Sequence, residues 1–164
     1  MLNMAIHKLF IDDFEEADYQ LIAIHTTLEN YRVAYFINQN LPILLHRNKK
    51  DILIGSEKQK TGFSNFIFED NKKEIFWTLI ENKKEVSLPQ KSKTINLFKE
   101  EQEFSNRVYF LPEFKNVDFF LKIEGDEDQI ILNNILLKLN TIDLITTVYA
   151  VDKSRIKSKN NLIF

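Results

Sequence analysis

Cysteine is missing from all 164 residues, and glycine and proline occur only three times each. Without thiols there is no disulfide, thiolate nucleophile or thiolate metal ligand, and such a chain suits a reducing compartment, so a cytoplasmic location is expected. So few glycines leave no phosphate-cradling loop: neither GxGxxG nor GxxxxGK[ST] occurs. No apolar run approaches the roughly 20 residues that a membrane helix needs, and the opening MLNMAIHKLFIDD lacks the long apolar centre of a signal peptide. A soluble, unprocessed protein is expected. An excess of either charge is lacking too, since 22 Lys and Arg stand against 24 Asp and Glu for a net charge of -2. That balance predicts neither a nucleic-acid binder nor an acidic tail.

The charge is nevertheless unevenly placed. Residues 153–164, KSRIKSKNNLIF, carry Lys153, Arg155, Lys157 and Lys159 without an acid, so the rest of the chain is acidic in excess. Such a tail either folds back onto its own acidic body, the simpler outcome, or serves as an arm for an acidic partner.

DYQLIAIHT (18–26) is apolar on both faces and reads as a buried strand. In the next segment Thr26 and Glu29 have capping-box spacing, which predicts a helix from there to Pro42. Its core arc would hold Leu28, Tyr31, Val33, Ala34, Tyr35, Ile37 and Leu41. ILLHRNKKDILI (43–54) predicts a strand pair or one bent strand, with the polar middle at a turn or edge. FSNFIFED and EIFWTLIENK, joined across DNKK, predict a hairpin. Residues 82–106 are charged, aperiodic and broken by Pro89, and read as a mobile surface excursion anchored by Leu97 and Phe98. In VDFFLKIEG, Val117, Phe119, Leu121 and Ile123 form one apolar strand face, and Asp118, Phe120, Lys122 and Glu124 a mixed one. DEDQIILNNILLKLNT predicts a second helix whose acidic first turn, Asp126 to Asp128, complements the helix dipole, and LITTVYAVD (144–152) a closing strand.

This order predicts an α+β fold: a ferredoxin-like sandwich of two βαβ halves with an inserted β-hairpin region, two main helices on one face of a mostly antiparallel sheet, and one core. A single domain would span 1–152, followed by the basic C-terminal tail at 153–164.

Little in the sequence points to chemistry. His7, His25 and His46 are scattered without ligand spacing, and the calcium-loop order D-x-[DN]-x-[DN]-G is absent, so neither metal nor cofactor is expected. His25, at the end of a buried strand, reads as a structural histidine. Phe66, Phe68, Phe76 and Trp77 would suit an RNA-stacking platform, but the K/R-G-F/Y-G/A-F signature is missing, so core packing is the expected fate of these rings. On the second helix Ile130 and Leu137 fall on the polar side and predict a small exposed apolar strip, either a partner contact or a wider burial arc.

The segment LPEFKNVDF resembles the signature of the bacterial IPExxxVDY family. Leu111 stands where the signature has Ile, Pro112, Glu113, Val117 and Asp118 match, and Phe119 replaces Tyr, removing a hydroxyl. The resemblance extends to HTTLENYRVAYFINQ, WTLIENK and KSKNNLIF. It implies no reaction, so no catalytic residue is carried over. Glu113 and Asp118 are expected to accept backbone amide bonds at the corner. The leading expectation is therefore a non-enzymatic interaction or regulatory module, binding another protein through the tail, the Ile130–Leu137 strip or the 111–118 corner. A homodimer is compatible with it. A small-molecule-sensing ferredoxin-like regulatory domain is the alternative, and an enzyme using Glu113 and Asp118 would need those carboxylates to converge.

Overall fold

The computed structural model describes residues 18–87, 105–126, 128 and 130–164, and all that follows concerns these. The segments with the fewest polar residues become the middle of the main sheet. β1 (Tyr19–Thr26), β6 (Ile75–Glu81) and β9 (Phe119–Glu124) are buried on both sides, as strands between two layers must be. β5 (Asn65–Asp70) and the two-residue β2 (His46–Arg47) extend the sheet on one side, and β10 (Ile145–Ala150) closes the other. The order is β10-β1-β9-β6-β5-β2, and every ladder is antiparallel. With α1 (Asn30–Asn40) after β1 and α2 (Leu132–Asn140) after β9, the molecule is an α+β fold with two helices and a six-stranded antiparallel sheet.

Both helices cover the same face. Val33, Ala34 and Ile37 of α1 and Ile135 and Leu139 of α2 pack with Ile22, Ile24, Leu79, Leu121 and Ile123. The opposite face carries a second core, so the single interior expected from the sequence is in fact two. There Leu21, Ala23, Ile80 and Phe120 meet Phe110, Leu111, Phe114, Val117, Val151, Ile156 and Leu162, with Ile52 and Phe63 beside them. On the mixed face expected for VDFFLKIEG, Phe120 and Lys122 are thus buried as well, while Asp118 and Glu124 are half-buried.

Several local expectations are corrected. The capping box does not form: α1 begins at Asn30, and Thr26 instead accepts the Leu28 amide with its hydroxyl while donating it to the Leu144 carbonyl. The carboxylate that accepts the Thr26 amide belongs to Asp118, 92 residues away, at 2.9 Å. Tyr31 and Tyr35 are exposed, because the buried stripe of α1 is narrow and runs through Val33, Ala34 and Ile37 to Leu41. α2 starts later than expected, since Asp126 accepts the amide of Asp128 in a local turn and no acid occupies the helix's first turn. Ile130 therefore precedes the helix and enters the core at 8% exposure, while Leu137 remains 68% exposed, so the two form no strip.

The 43–54 stretch divides between β2 and β3 (Ile52–Ser56), which pairs with β4 (Gln59–Phe63) in a separate two-stranded sheet. Gly55 has φ +127°, and a Cβ there would collide with the Gln59 carbonyl, so this turn requires glycine. The expected β5–β6 hairpin forms, with Phe68 opposite Trp77. Within the 82–106 excursion, β7 (Lys83–Ser87) and β8 (Ser105–Tyr109) pair with each other. The proposed anchor at Leu97 and Phe98 lies outside the described residues. The basic segment after residue 152 is docked: two 3-10 turns, Lys153–Arg155 and Lys159–Leu162, fold it over the second core.

Candidate functional site

The 111–118 corner is a structural staple. Leu111, Phe114 and Val117 point into the second core, and Pro112 opens a 3-10 turn, Pro112–Phe114, where its missing amide proton is not needed. The corner is gripped by Asn82, which is wholly buried at the end of β6. Its Nδ2 donates to the Phe114 carbonyl at 2.9 Å and the Val117 carbonyl at 2.8 Å, and its Oδ1 accepts the Leu111 amide at 2.9 Å. Its backbone reaches further, donating to the Asp118 carbonyl and accepting from the Phe110 amide. Three buried backbone groups of an irregular loop thus find partners in one side chain.

Glu113 and Asp118 do accept amides, and most of these come from distant elements. Glu113 Oε1 accepts the amides of Lys157 and Ser158, each at 2.8 Å, and its Oε2 the Ser158 hydroxyl at 3.0 Å. Burial alone would raise its carboxyl; the bonds from the Ser158 amide, its own amide, the Lys157 amide and the Ser158 hydroxyl together outweigh it and hold the group below the ordinary carboxylate range. Asp118 takes the Thr26 amide on one oxygen and Lys83 Nζ on the other, at 2.7 Å. The two carboxylates face different partners and do not converge. The raised carboxyl is Glu81, lifted by burial against the opposing Asn30 amide and the Lys84 and Arg47 charges. It lies opposite Phe119 at the end of β6, where the Asn30 side chain at the start of α1 donates to it.

The basic segment is pinned from below by Lys122, 3% exposed, whose Nζ donates to Glu124 Oε1 at 2.7 Å and to the Leu162 carbonyl at 2.8 Å. The Phe164 ring lies 4.5 Å from the same nitrogen. Lys153 lies over Tyr19 and Arg155 over Phe114, so these two cations rest on the protein's own rings, whereas Lys157 and Lys159 are exposed.

What these staples leave open is a groove of about 820 Å³. Its floor is the end of the second sheet face. Glu69, Phe76 and Glu124 form one cross-strand row, and Ile67, Thr78 and Lys122 the next, beyond which the second core begins. β3 makes one wall, and Asn160, Asn161, Ile163 and Phe164 the other. Leu53 (61%), Phe76 (46%), Ile163 (79%) and Phe164 (53%) are exposed around it. Asp51 is paired with Arg47 and Glu124 with Lys122, while the Glu69 side chain has no ion-pair or hydrogen-bond partner among the described residues. Of the four rings considered for stacking, Phe66 and Trp77 are buried and Phe68 is packed against the helix-side core; Phe76 is the exposed one. His25 lies against Tyr149, Nε2 to hydroxyl 3.4 Å, and His46 lines the groove. Among the described residues no three His, Cys, Asp or Glu side chains gather as a metal site requires, and no helix is long and apolar enough to cross a membrane.

None of the proposed signature residues lines the groove, nor do Ile130, Leu137 or the four basic residues of the C-terminal segment. The groove as a whole escaped sequence reasoning because five separate stretches of chain build it, within 46–55, 65–69, 76–78, at Glu124 and within 160–164. Set against protein-family models, curated proteins and solved structures, the chain has no match in any of the three.

Proposed function

We propose that this is a non-catalytic protein-interaction module, cytoplasmic and of the IPExxxVDY family, that receives its partner in the groove between β3, the sheet and the C-terminal segment. The observation that carries this reading is the gathering of Leu53, Phe76, Ile163 and Phe164, all exposed, around one cleft. Exposed apolar side chains clustered in a concavity and rimmed by amides are characteristic of a binding surface. The other candidate surfaces are weaker supports: the corner is committed to Asn82 and the C-terminal segment, and Ile130 is buried. A ferredoxin-like arrangement fits the strand order, because β1 and β6 flank β9 while β9 and β10 flank β1, with a helix in each crossover.

The test is quantitative affinity purification from the source cell with the native chain, a Leu53→Asp/Phe76→Ser variant and a Lys157→Glu/Lys159→Glu variant. The groove variant is expected to lose a specific partner that the charge-reversal variant keeps. Identical partner sets for the native chain and the groove variant would overturn the assignment. A second reading, small-molecule sensing, is favoured by one observation: the groove's size falls in the range of about 300–1,000 Å³ typical of ligand sites. Thermal-shift screening against amino acids and nucleotides separates the two, since a ligand held only by the folded state raises its stability.

A further inference from the structure

Four consecutive residues, Ile52 to Gly55, line the groove. No residue of β4 lines it, so β3 stands between β4 and the cleft, and the edge of β3 turned away from β4 is the one that meets the groove. β3 pairs with β4 alone, and among the described residues no other backbone hydrogen bond reaches it. The wall is therefore an unpaired row of amide and carbonyl groups facing a cleft whose floor is Phe76 and Ile67. An open edge of this kind is a template for another strand.

We infer that the groove binds an extended peptide segment of the partner, which adds to β3 as a third strand of the β3–β4 sheet. The inference rests on the groove being the partner site. Charge narrows the chemistry of the occupant. Glu69 stands unpaired at one end of the floor, and Lys50, whose carbonyl accepts the Asn65 amide, marks the other end of the same strand. The peptide takes a basic residue at the Glu69 end and an acidic one at the Lys50 end, with apolar side chains between them at alternate positions.

Panning a phage-displayed library of linear dodecapeptides against the full chain tests this, followed by titration calorimetry of the enriched peptide and amide exchange across residues 52–55. Enriched peptides are expected to carry alternating apolar residues with a terminal base, to bind about tenfold more weakly once an edge-facing amide is N-methylated, and to protect every second β3 amide. Glu69→Lys should select against the base. A peptide that is lost with Leu53→Asp yet tolerates N-methylation at every position would overturn strand addition and leave the groove as the binding site. Peptides that bind the Leu53→Asp chain equally well, or a library that yields no binder, would overturn the groove assignment and this inference with it.

Discussion

The two faces of the sheet are covered in different ways. On one face, two helices satisfy their own backbone and present apolar stripes, so the layer needs only shape and hydrophobicity. On the other, the cover is the 110–117 corner, the C-terminal segment and the β3–β4 hairpin, largely irregular chain whose buried amides and carbonyls need partners from elsewhere. Asn82, Glu113 and Lys122 supply them. Disabling the most heavily bonded of them, Asn82, should therefore cost at least as much as a large cavity on the helical face.

The sharpest way to break the comparison is Asn82→Asp, which keeps the volume but turns two donors toward the Phe114 and Val117 carbonyls into acceptors. A loss of about 4 kcal/mol is expected in urea unfolding, from several buried groups left without partners. On the helical face Ile37→Ala should cost about 3 kcal/mol through its cavity, with the same loss at every pH between neutrality and the acid limb. Lys122→Met retains the stem but abandons the Leu162 carbonyl and Glu124; about 2 kcal/mol is expected, with proteolysis near residue 160 accelerated more than at α1. Glu113→Gln should cost least, about 1 kcal/mol near neutral pH. Because the folded state holds the Glu113 carboxyl below its unfolded value, its contribution is present at neutrality and lost as pH falls through the folded value, so the variant should show a shallower acid limb below about pH 4. If the variant and the native chain lose stability in parallel on acidification, Glu113 is not the clamp described.

The helical face was legible because period and burial record a single plane. LIAI of β1, IFWTLI of β6 and FFLKI of β9 declare central strands by composition, and Val33, Ala34 and Ile37 declare the stripe of α1. The other face was not, because its determinants are pairwise and remote: nothing near Glu113 indicates that it meets the Ser158 amide, and nothing near Asn82 marks it as a hub. β4, QKTGF, has no alternation to read and exists through its register with β3. Phe76 could have been placed in the groove once the DNKK turn fixed the hairpin register, since that register puts it opposite Glu69, an acid at the sheet's end, and not over a core neighbour.

The bond between Asp118 and Thr26 spans 92 residues, and Lys122 and Glu113 reach 40 and 45 residues ahead to the C-terminal segment. Closing such spans costs chain entropy before any contact rewards it. The helices are short-range and quick to form, but the tempo of folding belongs to these long ties. Trp77, the one tryptophan, sits in the helix-side core as a natural clock for how long the chain waits for them.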